Sequence, residues 1–535
     1  MAMPNDLADI ERALDSDDLP LAAMRAQTAL ANGARDPLIF NLVAWRHEED
    51  GRLDEADAVL RQALDLWPAD PSLHLALGVV LRKAGRMRDA VLSFERAIEL
   101  DPRYAAAWFE RGATFERGGA LADAAEDFRR TIALEPGNGA AHAALAASLA
   151  RRGEREEATR HAQFALRTDP GNVTAHSALA LVAIEEKRFD DAIALLEPVV
   201  GDRPDDQEML VSTRTLLADS YEGVGRYDDA YRAYASAQQL FHATNSARLG
   251  EDHHDAIEAA ERIGDALEAA DPALWEAGAP VDGPAATHVF LTGYPRSGTT
   301  LVENILATLP NSVAIEERRT LGMVDRDYLQ SHDGLARFAA LPVTELDTLR
   351  TGYWQRAAEA ALAPLDGTLF VDMDPFKGLR LPIIARLFPQ AKIVLMRRDP
   401  RDVVWSCFHT SFAFNAGTMA FATLESTARH YALTQRVIAR SLATLPMDAF
   451  ELRYESLVRD FDDTTQRLCQ FLGVPWNEEL KRFDRTAKRR GVSTASTTQV
   501  RQGLYDGSGG WRRYERHLAT VEPILRPWIE KLGYS

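Results

Sequence analysis

Residues 288–309 read HVFLTGYPRSGTTLVENILATL. His288 to Thr292 is a short apolar run of the kind that makes a buried strand, and Leu301, Ile305 and Leu309 recur at helical spacing before Pro310. Between them lies Gly293-Tyr294-Pro295-Arg296-Ser297-Gly298-Thr299-Thr300. Strand, loop, helix is the geometry of a phosphate-binding loop, where successive backbone N–H groups and the helix N-terminus point at one anion. Gly-x4-Gly is present, but Thr299 stands where the triphosphate version of the loop has its Lys. A triphosphate with its magnesium lacks its main cationic clamp here. A smaller, diester-like anion does not need that Lys, and Arg296 can meet it with a bidentate fork.

About a hundred residues on, the apolar run Lys392 to Met396 delivers Arg397-Arg398-Asp399-Pro400-Arg401-Asp402, and Val403 to Phe408 then read as a helix carrying Ser406. An Arg at a strand end and a Ser about two turns into the next helix close on one phosphate from two sides. Alone, such a charged run is more often a salt-bridged surface turn; beside the Arg296 loop it reads as a second anion site. Further strands are expected at Leu369 to Met373 and Phe450 to Tyr454, and covering helices at Leu433 to Leu442 and Thr464 to Leu472. The expected rear fold is α/β: a mainly parallel sheet with helices on both faces, and a nucleotide outside the carboxyl ends of its strands. The aromatic stretch Phe412 to Phe421 reads as core packing in preference to an acceptor cleft.

The front half repeats. Pro68, Pro102, Pro136, Pro170 and Pro204 are 34 residues apart, and Ala22, Ala56, Ala90, Ala124, Ala158 and Ala192 keep the same interval. Each unit reads as a helix, a turn near Gly51, Gly85, Gly119 or Gly153, a second helix and a Pro stop. Ala218, Tyr221, Ala230, Tyr234 and Ala237 recur after a four-residue insertion. About seven helix pairs stacked as a superhelix are expected, because one pair cannot bury its own apolar face. The expected organisation is a repeat domain over 1–245, a helical connector over 246–286 and a second domain over 287–535. Asp252-His253-His254-Asp255 in the connector resembles a metal motif, but adjacent residues on a helix diverge where zinc helices use i and i+4; a solvated face and no metal are expected.

With 535 residues, 46% hydrophobic and 26% charged, the chain has the composition of a globular protein of more than one domain. No apolar run has the length of a membrane helix, and the acidic N-terminus lacks a signal core. Cys407 and Cys469 are the two cysteines, too few for a disulfide framework, so a cytoplasmic location and no membrane association are expected. Charge divides the halves: residues 1–286 hold 29 Lys and Arg against 52 Asp and Glu, a net of −23, and residues 287–535 hold 32 against 28, a net of +4. The acidic front argues against nucleic acid, whose affinity rests on cations.

The loop YPRSGTTL, the acidic pair in VAIEERR, the turn MDPF, the segment RRDPRDVVWSCF and the later RYESLV and STTQVRQ together resemble sulfotransferases that use 3'-phosphoadenosine 5'-phosphosulfate (PAPS). The repeat pattern resembles the tetratricopeptide repeat, and the combination resembles bacterial proteins joining such repeats to a sulfotransferase domain similar to tyrosylprotein sulfotransferases. That resemblance implies that Arg296, Ser297, Gly298, Thr299 and Thr300 hold the 5'-phosphosulfate and that Arg398 and Ser406 hold the 3'-phosphate. It implies further nucleotide contacts at Tyr454, Ser496 and Arg501, and a general base at Glu317, with Glu316 as the alternative if the register slips by one. No metal is required. The base takes the acceptor's proton while Arg296 and the loop N–H groups neutralise charge on the leaving phosphate. A water-facing helix start remains the competing reading of Glu316-Glu317.

Two positions depart from the resemblance: Met373 stands where a Lys is usual, with Lys377 four places later, and Gly510 stands where a basic residue usually precedes Trp511. Losing such a cation costs rate while sparing binding. Three readings follow. The first is a sulfotransferase acting on a hydroxyl acceptor, such as a tyrosine of a protein or peptide held on the concave repeat surface. The second is an interaction module whose rear domain binds nucleotide with little turnover. The third is a phosphotransferase, which the missing loop Lys disfavours. Acceptor identity and oligomeric state are not encoded in these motifs.

Overall fold

The structure, a computed structural model, describes residues 4–201, 207–246, 255–270, 275, 281–415, 417–490 and 503–534. The chain divides into two compact units, Met1–Arg203 with Asp219–Gly225, and Pro204–Ala218 with Arg226–Ser535. Helix Tyr227–Ser246, the last with repeat-like spacing, packs as part of the second unit. Of the Asp-His-His-Asp run, Asp255 caps helix Ala256–Ala269 through Ile257 N, and its other three residues lie outside the described ones, as does Pro204.

Twelve helices in consecutive pairs, from Pro4–Asp15 to Phe189–Leu196, make up most of the first unit's described residues; Gln207–Gly223 and Tyr227–Ser246 are the next two helices along the chain. Gly51, Gly85, Gly119 and Gly153 turn the chain at φ of 72° to 80°, where a side chain would be strained. The repeating Ala56, Ala90, Ala124 and Ala158 are at most 1% exposed, letting neighbouring helices approach closely. Where the approach is closest even Ala is too large: a Cβ on Gly78 would sit 2.4 Å from the Phe94 ring, and one on Gly112 2.9 Å from Phe128. A second repeated device escaped the sequence reading. His74, Trp108, His142 and His176, also 34 apart, each place a ring nitrogen 2.9 to 3.3 Å from the carbonyl of the Pro six residues earlier. A carbonyl can only accept, so each ring donates its N–H there and ties a helix to the stop before it.

The second unit is built on a five-stranded sheet: β1 (Thr287–Thr292), β2 (Ser312–Glu316), β3 (Leu369–Met373), β4 (Lys392–Arg397) and β5 (Asp448–Arg453), all parallel in the order β2-β3-β1-β4-β5. Alternation along the strands splits the core in two. Phe290, Phe370, Ile393 and Leu395 pack on one face with helices including Val343–Ala361 and Leu424–Thr444. Val289, Leu291, Val371, Val394 and Met396 pack on the other with Thr299–Leu306 and Phe461–Leu472. Four of the strands match those expected from sequence to within two residues, and β2 is additional. β1 and β4 are neighbours in register from Val289 opposite Lys392, so their carboxyl ends bring together the loops after Thr292 and after Arg397. Phe421 is buried and packs on Phe412 and Phe376, in keeping with a packing role.

Candidate active site

The loop after β1 is tightly built. Gly293 lies against β4, where a Cβ would meet Met396 O at 2.9 Å. Ser297 is buried and closes the turn on itself: its N–H donates to Tyr294 O at 3.1 Å and its Oγ accepts Tyr294 N at 3.3 Å. Beneath, Tyr294 OH is hydrogen-bonded to His430 Nδ1 at 2.8 Å, anchoring the loop to helix Leu424–Thr444. Arg296 (φ 66°) and Gly298 (φ 103°) both take left-handed backbone, which for Arg is a strained conformation of the kind functional loops keep. Gly298 is required twice over, because a Cβ there would also fall 2.9 Å from the Tyr454 ring. Thr299 and Thr300, both buried, open the following helix.

Of the cations after β4, one is turned to this loop. Arg397 pairs with Glu451 and Gln435. Arg401 forks onto Asp399 at 2.9 and 2.7 Å and lies over the Trp511 ring. Arg398 donates through Nη1 to Arg296 O at 2.9 Å and through Nη2 to Gly507 O at 2.7 Å, with its guanidinium 4.5 Å from the centre of the Tyr454 ring. Its buried Nε has no partner among the described residues. Arg296 Nε in turn donates to Ser406 Oγ at 3.0 Å. Tyr454 OH donates to Tyr505 O at 2.5 Å, and Asp402 accepts Gly509 N and Trp511 N, fixing the segment around Gly510.

The structure therefore brings Arg296, Ser297, Gly298, Arg398, Ser406 and Tyr454 into one place, while Ser496 and Arg501 lie outside the described residues. Burial, and repulsion from Arg398, hold the Arg296 guanidinium below its ordinary pKa. Two crowded cations and an orphaned buried N–H are conditions that a phosphate- or sulfate-sized anion relieves.

At the same carboxyl end of the sheet, on its edge strand, β2 ends at Glu316 opposite Met373, and Glu317 leaves it at φ 49° with its N–H on Met373 O at 2.7 Å. Partial burial, then Asp374 and Glu316, raise the Glu317 carboxyl to a pKa of about 7 against a smaller opposing pull from Lys377. A carboxylate titrating near neutrality suits a general base.

Sequence reasoning missed what lies behind this turn. Lys377, 1% exposed, does not reach outward in place of a Lys at Met373; its Nζ is 2.6 Å from Asp372 Oδ1. The signal was an acidic residue inside the apolar strand run LFVDM followed by a Lys, which a strand buried on both faces tolerates only with a partner. Among the described residues no group of three His, Cys, Asp or Glu is placed to hold a metal ion, and no helix is long and apolar enough to cross a membrane.

Comparison with known proteins agrees with this organisation. Residues 288–478 match the sulfotransferase family, and residues 75–139 and 149–218 match tetratricopeptide repeat models. Protein-tyrosine sulfotransferase 1 of Danio rerio is 27% identical over 267 residues, 46% of this chain and 72% of that protein. The protein of that name from Homo sapiens is 26% identical over 264 residues, 46% of this chain and 69% of its own length. An uncharacterized protein of Aquifex aeolicus is 27% identical over 360 residues, 65% of this chain, and the match spans 45% of that relative's length. The chain joins tetratricopeptide repeats to a C-terminal domain of the sulfotransferase family.

Proposed function

We propose that the rear domain transfers the sulfuryl group of PAPS to a hydroxyl acceptor. The observation that carries this reading is the convergence of Arg296, Arg398 and Ser406 on one spot, with Arg398 Nε left unsatisfied. A nucleotide bearing phosphates at both its 3' and 5' ends has the two anions this pair of segments calls for; ATP lacks the first, and the loop lacks the Lys that would grip its γ-phosphate.

In this reading Arg398 and Ser406 take the 3'-phosphate, with Tyr454 beside them, and the Arg296 loop with Thr299 and Thr300 takes the 5'-phosphosulfate. Glu317 removes the proton of the acceptor hydroxyl as its oxygen attacks sulfur. The S–O bond to the phosphate breaks, the new S–O bond forms to the acceptor, and the negative charge stays on the 5'-phosphate of the departing bisphosphate, where Arg296 and the loop N–H groups neutralise it. The similarity to protein-tyrosine sulfotransferases and the tetratricopeptide repeats, which generally mediate protein interactions, favour a tyrosine in a polypeptide held by the repeats.

The burial of Lys377 against Asp372 favours a second reading, a domain that binds nucleotide with slow turnover, because the cation absent at Met373 is not replaced at the surface. Incubation with ³⁵S-labelled PAPS and a panel of tyrosine peptides, p-nitrophenol and N-acetylglucosamine separates the two. The first reading expects label on at least one acceptor and none with Glu317→Gln; tight bisphosphate binding without labelling of any acceptor supports the second.

A further inference from the structure

Asp372 is fully buried near the end of β3, and its carboxylate has three partners. Oδ1 accepts Lys377 Nζ at 2.6 Å, and Oδ2 accepts Thr320 Oγ1 at 2.8 Å and Tyr353 OH at 2.9 Å. Tyr353 OH, donating to Asp372, accepts the Nε2–H of His288 at 2.7 Å. Burial lowers the pKa of that His to about 3, which keeps the ring neutral. Burying an ion pair gains little over apolar packing, whereas a fully satisfied buried network fixes a geometry.

The geometry it fixes is that of the two loops on either side. Thr320 belongs to the turn that begins at Glu317, whose left-handed backbone costs about 1 kcal/mol in any residue but Gly. Three bonds hold this turn: Glu317 N to Met373 O, Thr320 Oγ1 to Asp372, and Arg356 Nε to Thr320 O at 2.8 Å. Lys377 belongs to the 3-10 turn Pro375–Arg380, which abuts the loop after β1. Thr292 Oγ1 donates to Pro375 O at 3.4 Å, and a Cβ on Gly378 would lie 3.4 Å from Gly293 O.

We propose that Asp372 is the positioning residue of this site, gripping the Glu317 turn through Thr320 and the flank of the Arg296 loop through Lys377, so that the two loops keep a fixed separation. The inference rests on Glu317 being the base. It adds no chemical step, since neither Asp372 nor Lys377 exchanges a group with the reactants; Lys377 also opposes the acidic neighbours Asp374, Glu316 and Glu303 that face Glu317.

Thr320→Val removes one grip without changing side-chain volume, and Thr320→Ser keeps the hydroxyl. With ³⁵S-labelled PAPS and water as the acceptor, Thr320→Val is expected to lower kcat at least tenfold with KM for the donor within twofold of wild type, and Thr320→Ser to return kcat to within threefold. Hydrogen exchange of the peptide 312–322 is expected to rise at least tenfold in Thr320→Val. Tyr353→Phe, which loosens the same carboxylate from the other side, is expected to lower kcat severalfold, again at constant KM. A wild-type kcat and unchanged exchange in Thr320→Val, beside an inactive Glu317→Gln, overturns the positioning role and leaves the base intact. A wild-type rate in Glu317→Gln overturns the reading of Glu317 itself.

Discussion

Arg296 and Ser406, 110 positions apart in the chain, meet through a 3.0 Å hydrogen bond from the guanidinium Nε to the hydroxyl. Their meeting follows from the sheet: β1 and β4 are neighbouring parallel strands, so the loop leaving one and the helix following the other rise on the same edge. Parallel strands place successive loops at one end of the sheet, and that end is where α/β folds bind nucleotides.

Removing either partner should weaken binding of adenosine 3',5'-bisphosphate by amounts that follow their charge. Arg296→Ala removes a charge-assisted contact of roughly 2–3 kcal/mol, about 30- to 150-fold in Kd, whereas Ser406→Ala removes a neutral one of about 1 kcal/mol, roughly fivefold. Isothermal calorimetry checks the ratio. Arg398→Lys should lose nearly as much as Arg398→Ala, because an ammonium cannot make both the Arg296 O and Gly507 O bonds of the fork.

Turnover should rise with pH and level off above about 7, where Glu317 is ionised. The same shift acts on stability with the opposite sense to that of a salt-bridged carboxylate. From its ordinary 4.5 to its folded value of about 7, the folded state holds a proton that the unfolded chain has released. Stability contributed by this group is therefore present at low pH and lost as pH rises through that window. Glu317→Gln should abolish turnover by a factor of about 10² to 10⁴ while its melting temperature, measured at pH 8, equals or exceeds that of the wild type.

Gly510 offers a gain-of-function test. A Cβ there meets nothing closer than Asp402 Oδ1 at 3.7 Å, and its φ is ordinary, so the backbone accepts a side chain and Gly510→Arg should fold. By restoring a cation beside Trp511 it should raise turnover by roughly tenfold, about 1.4 kcal/mol of transition-state stabilisation, with bisphosphate affinity little changed.

In the repeats, Gly78→Ala should destabilise the first unit by about 1–3 kcal/mol through overpacking against Phe94, whereas Arg88→Ala, on the outside of a repeat, should shift the thermal midpoint little. Differential scanning calorimetry of the full chain distinguishes the two.

Much of this was legible because it is local. The 34-residue interval exposed the helix pairs, and the run from His288 to Leu309 gave strand, loop and helix in one reading. An Arg at the end of β4 facing Ser406 was recoverable because strand end and helix face are fixed by spacing; that it is Arg398 came with the resemblance of RRDPRDVVWSCF. β2 was not, since SVAIE is five residues at the sheet edge with only Ile315 buried and carries little periodic signal. The Asp372 network was hidden for a different reason. Its members are strand, turn and helix residues from His288 to Lys377, and nothing in their spacing says that one carboxylate gathers them. The choice of Arg398 over Arg397 and Arg401 is likewise decided by which neighbours neutralise the other two.

In the proposed function one nucleotide spans the Arg296 and Arg398 segments. Calorimetric titration of the full chain with adenosine 3',5'-bisphosphate, 5'-AMP and ATP tests it most directly. The bisphosphate is expected to bind at least a hundredfold more tightly than either comparator, and Arg398→Ala to lose that preference. Equal affinity for all three, or a preference that survives Arg398→Ala, would contradict it.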